Sequence, residues 1–255
     1  MSDWSPKQYL RFANERTRAA VELLARVPLE APRTVVDVGC GPGNSTELLA
    51  ARFPDAAISA FDSSPAMIEA ARARLPGVRF AVADVASWTP AADTDVVFSN
   101  AVLQWVPGHL DILERALGAL RPGAVLAVQI PDNKSEPNHV LMRETAIGIG
   151  RGDVVRDAES LRDTVHSADV YYRRLAPLAV LDLWHTTYIH VLAGHDAIVE
   201  WLKGTGLRPY LDALGADTDA FLAGYRDRIA AAYPVHAGGE VLLPFPRLFM
   251  VAVRR

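Results

Sequence analysis

Apolar residues in the first half of this chain alternate between two patterns. Short runs rich in valine and other β-favouring residues predict strands at Val35–Val38, Ala57–Phe61, Val78–Val82, Thr94–Ser99 and Ala124–Ile130. Between them the apolar positions take a helical spacing. Thr17–Arg26 carries Ala20, Val21, Leu24 and Ala25, and Asn44–Arg52 carries Leu48 and Leu49 ahead of Pro54. A third helix opens at Ser63–Ser64–Pro65, a serine cap followed by proline. A fourth covers Leu110–Leu120 and closes at Pro122–Gly123. Five strands alternating with helices predict an α/β fold, a parallel sheet covered on both faces. In such a sheet, ligands bind beyond the carboxyl ends of the strands.

Beyond Pro131 the alternation breaks. The pattern predicts a loop and a helix over Glu136–Ala146, then mobile or helical surface at Gly148–Asp153 and Arg156–Ser167. Val180–Val191 is dense in β-branched and aromatic residues and predicts a strand. Helices near Ala197–Thr205 and Asp217–Tyr233 precede a last strand at Arg247–Val253. At the other end, a predicted helix at Ser5–Asn14 mixes Trp4, Tyr9 and Phe12 with Arg11, Arg16 and Arg18. It either packs on the surface or closes over the site as a lid. The expected organisation is a single domain over 1–255, with an N-terminal helical segment (1–30), a ligand-binding core (31–130) and cap insertions at 131–179 and 192–239 around the final strands.

Composition narrows the classes. Half of the 255 residues are hydrophobic, enough for a substantial core. No apolar run is long enough to span a bilayer, and MSDWSPKQYL lacks a secretory apolar segment. A net charge of -4 and a pI near 6.0 give no case for nucleic-acid binding. The lone cysteine, Cys40, cannot form an intrachain disulfide, so a reducing cytoplasm is expected. The spacing of His185, His190 and His195 fits neither a helical metal site nor one strand face, and no metal is expected. The cations are mostly arginine, which suits carboxylate recognition.

The chemistry concentrates in Val35–Gly43, reading VVDVGCGPG. Gly39, Gly41 and Gly43 allow a tight turn between strand and helix and let a ligand lie on bare backbone. A dinucleotide loop reads G-x-G-x-x-G, but here Asn44 stands at the third glycine position. Asp37, before the loop, would repel a pyrophosphate and suits a cationic amino group instead. Asp62 at the end of the second strand can accept both hydroxyls of a ribose, as in NAD and S-adenosylmethionine (SAM) binders alike.

The run D-x-G-x-G-x-G resembles the first motif of class I SAM-dependent methyltransferases. That resemblance implies a Rossmann-like fold with a seven-stranded, mostly parallel sheet, an antiparallel last strand and helical cap insertions. It implies SAM as cofactor, its methionine end held at Asp37, Gly39, Cys40, Gly41 and Gly43. Asp84 would contact the adenine amino group and Val85 supply a backbone N–H, with Ser63, Met67, Asn100 and Trp105 completing the cofactor site. A longer likeness covers almost the whole chain. DWSPKQYLRF, CGPGNST, the segment Asp62–Ala73 (ending in SPAMIEAARA), LQWVP, PDNKSEPNHVLMRE, TTYIHVL, GLRPYL and FPRLFMVA look like the corresponding segments of trans-aconitate methyltransferases. It is weakest in about Ile147–Asp169. It implies methylation of one carboxylate of trans-aconitate to a monomethyl ester, with release of S-adenosylhomocysteine.

A carboxylic acid with a pKa of ~4 is already ionised at neutral pH, so no general base is needed and no catalytic residue is expected. The carboxylates that do not react need anchors, for which arginine forks with tyrosine and histidine donors are suited. Candidates are Tyr9, Arg16, His139, Arg143, Tyr172, Arg208 and Arg247. His139 and Arg143 share one face of the predicted Glu136–Ala146 helix. Arg247 is expected to begin the last strand. The expected partner is a small-molecule tricarboxylate, with neither nucleic acid nor membrane, for a monomer or weak oligomer. Another small or carrier-linked carboxylate, or a non-catalytic SAM- or NAD-binding module, stays open at this point.

Overall fold

The computed structural model describes residues 13–255, with side chains from Thr17 onward. Most of the predicted Ser5–Asn14 helix, Tyr9 included, lies outside the described residues. Helix α1 (Ala13–Ala25) leads into β1 (Thr34–Val38), α2 (Asn44–Arg52), β2 (Ala57–Asp62), α3 (Pro65–Arg74), β3 (Arg79–Val82), β4 (Val96–Asn100), α4 (His109–Ala119) and β5 (Val125–Pro131). Then come α5 (Pro137–Gly148), α6 (Gly152–Ser160), α7 (Ala168–Leu175) and β6 (Ala179–Leu192). The chain ends with α8 (His195–Lys203), α9 (Arg208–Leu214), α10 (Thr218–Ala232) and β7 (Val241–Arg254).

The seven strands form one sheet in the order β3-β2-β1-β4-β5-β7-β6. β1 pairs in parallel with both β2 and β4, so Asp37 lies opposite Ala60 on one side and Phe98 on the other. Every residue of β5 is buried, as in a parallel strand covered on both faces. β7 runs antiparallel to β5: Gly123 N–H donates to the Arg254 carbonyl and Arg254 N–H to the Ala124 carbonyl, while at the other end Asp132 N–H reaches the Pro246 carbonyl. The Rossmann-like architecture with an antiparallel last strand is the one the glycine motif led us to expect.

The chain divides into two compact units. Among the described residues, one holds 13–130, 165–185 and 248–255; the other holds 131–164 and 186–247. The expected insertion at 131–179 is therefore shorter than its sequence suggested, because 165–185 belongs with the glycine-loop unit. Helix α7 explains this. Tyr171 is fully buried there and its hydroxyl lies 2.6 Å from His109 Nε2, while Arg174 reaches Asp111 and Glu114 at 2.5 Å. In the same unit, Asp95 at the opposite end of the sheet accepts from the Arg33 and Thr34 N–H groups and from Arg121, which ties β1 to β4.

The other unit is built on aromatic packing. Tyr210, Phe221 and Tyr225 stack with centroids 5.9 Å apart. Tyr225 donates its hydroxyl proton to the Asn138 carbonyl at 2.8 Å, and Asn138 N–H donates to the Tyr233 hydroxyl at 3.1 Å, which clips α10 to α5. Two helices escaped the sequence pattern, α7 and α9. Both are short, and propensity is weak evidence over so few residues. Among the described residues, no helix is long and apolar enough to cross a membrane, and no group of His, Cys, Asp and Glu could hold a metal ion.

Gly39 is the residue on which the turn after β1 depends. Its φ is +67°, and a Cβ there would stand inside contact distance of both Val102 methyls. Gly39→Ala is expected to destabilise by about 2–5 kcal/mol, combining left-handed backbone strain with overpacking. Adding Val102→Ala should recover the packing part but not the backbone part. Urea melts of the two variants check this: full recovery, or none, would contradict the assignment.

Candidate functional site

The site begins with a carboxylate out of reach of water. Asp37 is 0% exposed near the end of β1, and the first turn of α2 supplies its partners. Ser45 Oγ and Thr46 Oγ1 donate to Asp37 Oδ2 at 2.7 and 2.6 Å, while Oδ1 has no hydrogen-bond partner. Burial pushes the carboxyl pKa up to about 6, against the two hydroxyls that lower it and with a small upward push from the Asp62 charge. At neutral pH it is therefore ionised, with one acceptor oxygen unused.

The glycine loop wraps round the end of β2. Gly39 and Cys40 N–H groups both donate to the Phe61 carbonyl, at 2.8 and 3.0 Å. Gly41 N–H donates to Asp62 Oδ2 and Ser64 N–H to Asp62 Oδ1, both at 2.9 Å. Asp62 thus ties the loop to the start of α3, and its position before that helix had also allowed a capping role. A carboxylate oxygen can accept more than one donor, so this task does not bar it from holding a hydroxyl as well. All three loop glycines have positive φ (67, 54 and 91°). A Cβ on Gly41 would meet nothing, so the loop turns that face to open space.

A crevice beside the loop is lined by Thr17, Ala20, Gly39, Cys40, Asn44, Ser45 and Asn100. Two of its lining side chains carry a buried acceptor without a partner, Asn44 Oδ1 and Asn100 Oδ1, and outside the lining Asp37 Oδ1 and Gln104 Oε1 also have none. Buried acceptors left unpaired are costly. A donor-rich, positively charged group answers them, and the ammonium of a methionine-like ligand is such a group. The residues present therefore fit the methionine end of SAM.

Ala101, immediately after Asn100, has a φ of +61°, and is the one non-glycine residue in that region among those described. Its N–H donates to the Gln129 carbonyl and its carbonyl accepts from Gln104 Nε2, at 2.9 and 2.7 Å. Backbone strain of this kind, on the order of 1–2 kcal/mol, persists where its surroundings enforce it. An alanine gives no sequence signal of it.

The other residues expected at the cofactor site fall in the same unit. Cys40 is 4% exposed, and burial with the charges of Asp37 and Asp62 raises its thiol pKa far above the usual range. It is an inert thiol. Met67 is buried in the first turn of α3, its N–H bonded to the Ser64 Oγ cap at 3.2 Å. Ser63 is exposed. Asp84 is exposed and accepts the Ala86 N–H at 2.9 Å, Val85 is buried beneath it, and Trp105 is half-buried in a 3₁₀ turn after β4.

The substrate candidates scatter more widely. Arg16 lies in α1, with its side chain outside the described residues. Tyr172 is 56% exposed, and its neighbour Tyr171 makes the buried contact instead. One residue's rotation round the helix, about 100°, separates the exposed ring from the buried one. Arg247 does not begin the last strand. β7 starts at Val241, and Arg247 is buried mid-strand, its guanidinium 4.5 Å over Phe245 and 5.6 Å over Tyr188. Pro244 and Pro246 masked the earlier start, since proline argues against a central strand. Arg208 opens α9 with a long 3.9 Å approach to Asp212.

His139 and Arg143 do share α5, and the structure adds residues that sequence reasoning missed. Arg162 NH1 lies 3.2 Å from His139 Nδ1, and its NH2 donates to Asn133 Oδ1 at 3.1 Å. Since a guanidinium only donates, Nδ1 accepts and Nε2 carries the ring proton. Burial first, then the charges of Arg162, Arg143 and Lys134, hold His139 well below the ordinary histidine pKa, so it is neutral. Arg143 NH1 donates to the Lys134 carbonyl at 3.0 Å, and Glu159 pairs with Lys134 at 2.6 Å. Arg162 and Lys134 carried no pattern that singled them out, and Arg162 lies in the stretch where the family likeness is weakest.

The chain is similar to known methyltransferases in sequence and in fold. A family model described as a methyltransferase domain matches residues 35–123, the stretch from β1 to the turn before β5. Geranyl diphosphate C-methyltransferase from Streptomyces coelicolor, solved with Mg2+, geranyl diphosphate and S-adenosyl-L-homocysteine, shares the fold at a TM-score of 0.55 and 16% identity, covering 98% of this chain and 83% of that one. Trans-aconitate 2-methyltransferase from Methylobacterium nodulans is 56% identical over 100% of this chain and 99% of its own. The enzyme of that name from Rhodopseudomonas palustris is 54% identical over 100% of both chains. Such identity from end to end takes in the glycine loop and the insertions alike, and the chain belongs to the trans-aconitate 2-methyltransferase family of SAM-dependent class I methyltransferases.

Proposed function

We propose that this protein transfers the methyl group of SAM to one carboxylate of trans-aconitate, giving the monomethyl ester and S-adenosylhomocysteine. The observation that carries this is the 54% identity over 100% of both chains to a relative named for that reaction. The geometry supports it. Asp37, with the unpaired oxygens of Asn44, Asn100 and Gln104, is suited to the cofactor's ammonium, and the bare Gly39–Gly43 backbone to close approach. Asp62, already bound by two backbone donors, has the acceptor capacity for ribose hydroxyls. Ser63, Met67, Asp84, Val85 and Trp105 remain the candidates for the rest of the nucleoside.

Bound SAM supplies a methyl group already activated by its sulfonium. What remains for the chain is to orient, desolvate and hold. The accepting carboxylate arrives ionised, and His139, its pKa held low by burial and by three nearby cations, is a poor proton acceptor. Opposite charges neutralise as the methyl moves, which a site drained of water favours. Alignment can contribute on the order of 7–11 kcal/mol. For the non-reacting carboxylates, Arg143 and His139 on α5 are the leading anchors, with Arg16, Arg208 and Tyr9 as further candidates. Methyl transfer from labelled SAM across a panel of di- and tricarboxylates tests the whole reading: trans-aconitate is expected as the preferred acceptor, and no transfer to it would overturn the assignment.

Asp37 makes cofactor affinity pH-dependent. Its pKa of about 6 in the free protein means that a proton competes with the ligand's ammonium as the pH falls through that value. S-adenosylhomocysteine affinity is expected to be flat above pH 7 and to weaken by up to about tenfold per unit below 6. Asp37→Asn should abolish that dependence and cost roughly 1.5–3 kcal/mol of binding. Titration calorimetry from pH 5 to 8 checks both.

The chemical step should behave differently. With no titrating base, its single-turnover rate at saturating substrate is expected to stay level from about pH 6.5 to 8.5. A bell-shaped profile that one histidine substitution removes would contradict this.

Arg143 tests the anchor. Arg143→Lys keeps the charge and loses the planar fork, so turnover of trans-aconitate should fall while S-adenosylhomocysteine affinity holds. Arg143→Ala should cost about 2–5 kcal/mol in kcat/KM. A change within about 0.5 kcal/mol would make Arg143 a surface residue.

A further inference from the structure

A strained residue stands where β4 leaves the sheet. β4 and β5 pair in register as far as Asn100 opposite Gln129, and the next residue, Ala101, donates its N–H to the Gln129 carbonyl at 2.9 Å. Its φ of +61° then turns the chain away from the strand. Glycine enters that region freely, whereas an L side chain there is opposed by its own Cβ. An alanine stays in it where contacts on either side hold it. On the far side the contact is Gln104. Its side chain reaches back three residues, and Nε2 donates to the Ala101 carbonyl at 2.7 Å. A carbonyl only accepts, so the amide nitrogen is the end that faces it.

Gln104 is 5% exposed, and a long polar side chain gives up much rotamer freedom to be buried. A methionine would fill the same space with no polar group to satisfy. Oε1 has no partner, so among the described residues the bond to Ala101 is what the amide contributes. The residues on either side of Ala101 both serve the crevice. Asn100, before it, lines the crevice and carries an unpaired Oδ1. Val102, after it, packs on Gly39 so closely that its methyls occupy the space a Cβ on that glycine would need. Gly39 lines the crevice too, and all of these residues belong to the glycine-loop unit. Moving φ at Ala101 to the ordinary right-handed value is a rotation of about 120°. The ladder to β5 fixes Asn100, so that rotation would carry Val102 and the Leu103–Trp105 turn off Gly39.

We propose that Gln104 is a positioning residue for the cofactor: its bond to the Ala101 carbonyl keeps Ala101 left-handed, which keeps Val102 packed on Gly39 and the crevice in its binding shape before the ligand arrives. This rests on the cofactor given under Proposed function and adds what holds its crevice ready. Without the bond, the left-handed conformation becomes the minority one, and the apparent affinity falls with the fraction that remains competent. The effect needs no contact between Gln104 and the ligand.

Calorimetric titration of the full-length protein with S-adenosylhomocysteine tests this by rescue. Gln104→Met keeps the length of the side chain and removes the donor. It should weaken S-adenosylhomocysteine binding about five- to thirtyfold, the factor by which a left-handed alanine is disfavoured. Adding Ala101→Gly removes that penalty, because glycine takes positive and negative φ about equally, and affinity should return to within about threefold of the wild type. A Gln104 that only fills the core, or one whose Oε1 contacts the cofactor directly, predicts no recovery in the double variant, and that result overturns the positioning role. So does a Gln104→Met protein that binds within about twofold of the wild type. Should Gln104→Met alone not fold, the double variant is compared with the wild type directly: recovery within the same margin supports the role, and weaker binding overturns it. A wild type that does not bind S-adenosylhomocysteine overturns the cofactor reading and this role with it. If the wild type binds S-adenosylhomocysteine and the rescue holds, but trans-aconitate is not methylated, the reaction is wrong and the positioning role stands.

Discussion

A buried carboxylate organises the cofactor unit. Removing the Asp37 side chain from water is unfavourable, and the fold offsets it with two hydroxyls from the first turn of α2. That requires α2 to start where it does, which requires the chain to reverse sharply after β1. The reversal in turn needs Gly39, Gly41 and Gly43 at positive φ. Once the turn is made, the loop's N–H groups close on Phe61 and Asp62, which fixes the loop to β2 and to the cap of α3. Each step follows from satisfying polar groups that the sheet has taken out of solvent. One Asp37 oxygen is left over without a partner, as are amide oxygens of Asn44 and Asn100 beside the loop.

The insertion unit has the opposite polarity. Its cluster contains three cations, a histidine kept neutral by burial and by their charges, and a glutamate between two of them. Its scaffold is aromatic: the Tyr210–Phe221–Tyr225 stack and the Tyr225 and Tyr233 hydroxyls on Asn138 tie α5 to α10. The acceptor-rich crevice lies in the glycine-loop unit and the cation cluster in the insertion unit. Methyl transfer from sulfonium to carboxylate removes one charge from each, so no proton has to be moved.

Much of this was legible in the chain itself. The alternation of valine-rich runs with helical spacing determined a parallel sheet, because both periods are local properties of backbone geometry. The spacing of Asp37 and the three glycines determined the loop and its preference for an amino group over a pyrophosphate, since a left-handed turn and an unscreened carboxylate each restrict what can follow. Lys134, Arg162 and Ala101 were not legible. Nothing local distinguishes an arginine that folds onto a histidine 23 positions away from one that faces water. Nothing marks an alanine forced to a φ of +61° by Gln129 and Gln104. Tyr171 and Tyr172 are equivalent as a sequence pattern, and only the position of His109 decides which one is buried. Arg247 was misplaced because two prolines hid six residues of β7, whose pairing with β5 tolerates them. The sequence by itself determined the elements and the loop, which depend on short-range sterics and periodicity. The tertiary structure alone decided which charges are brought together and desolvated, because that depends on partners far apart along the chain.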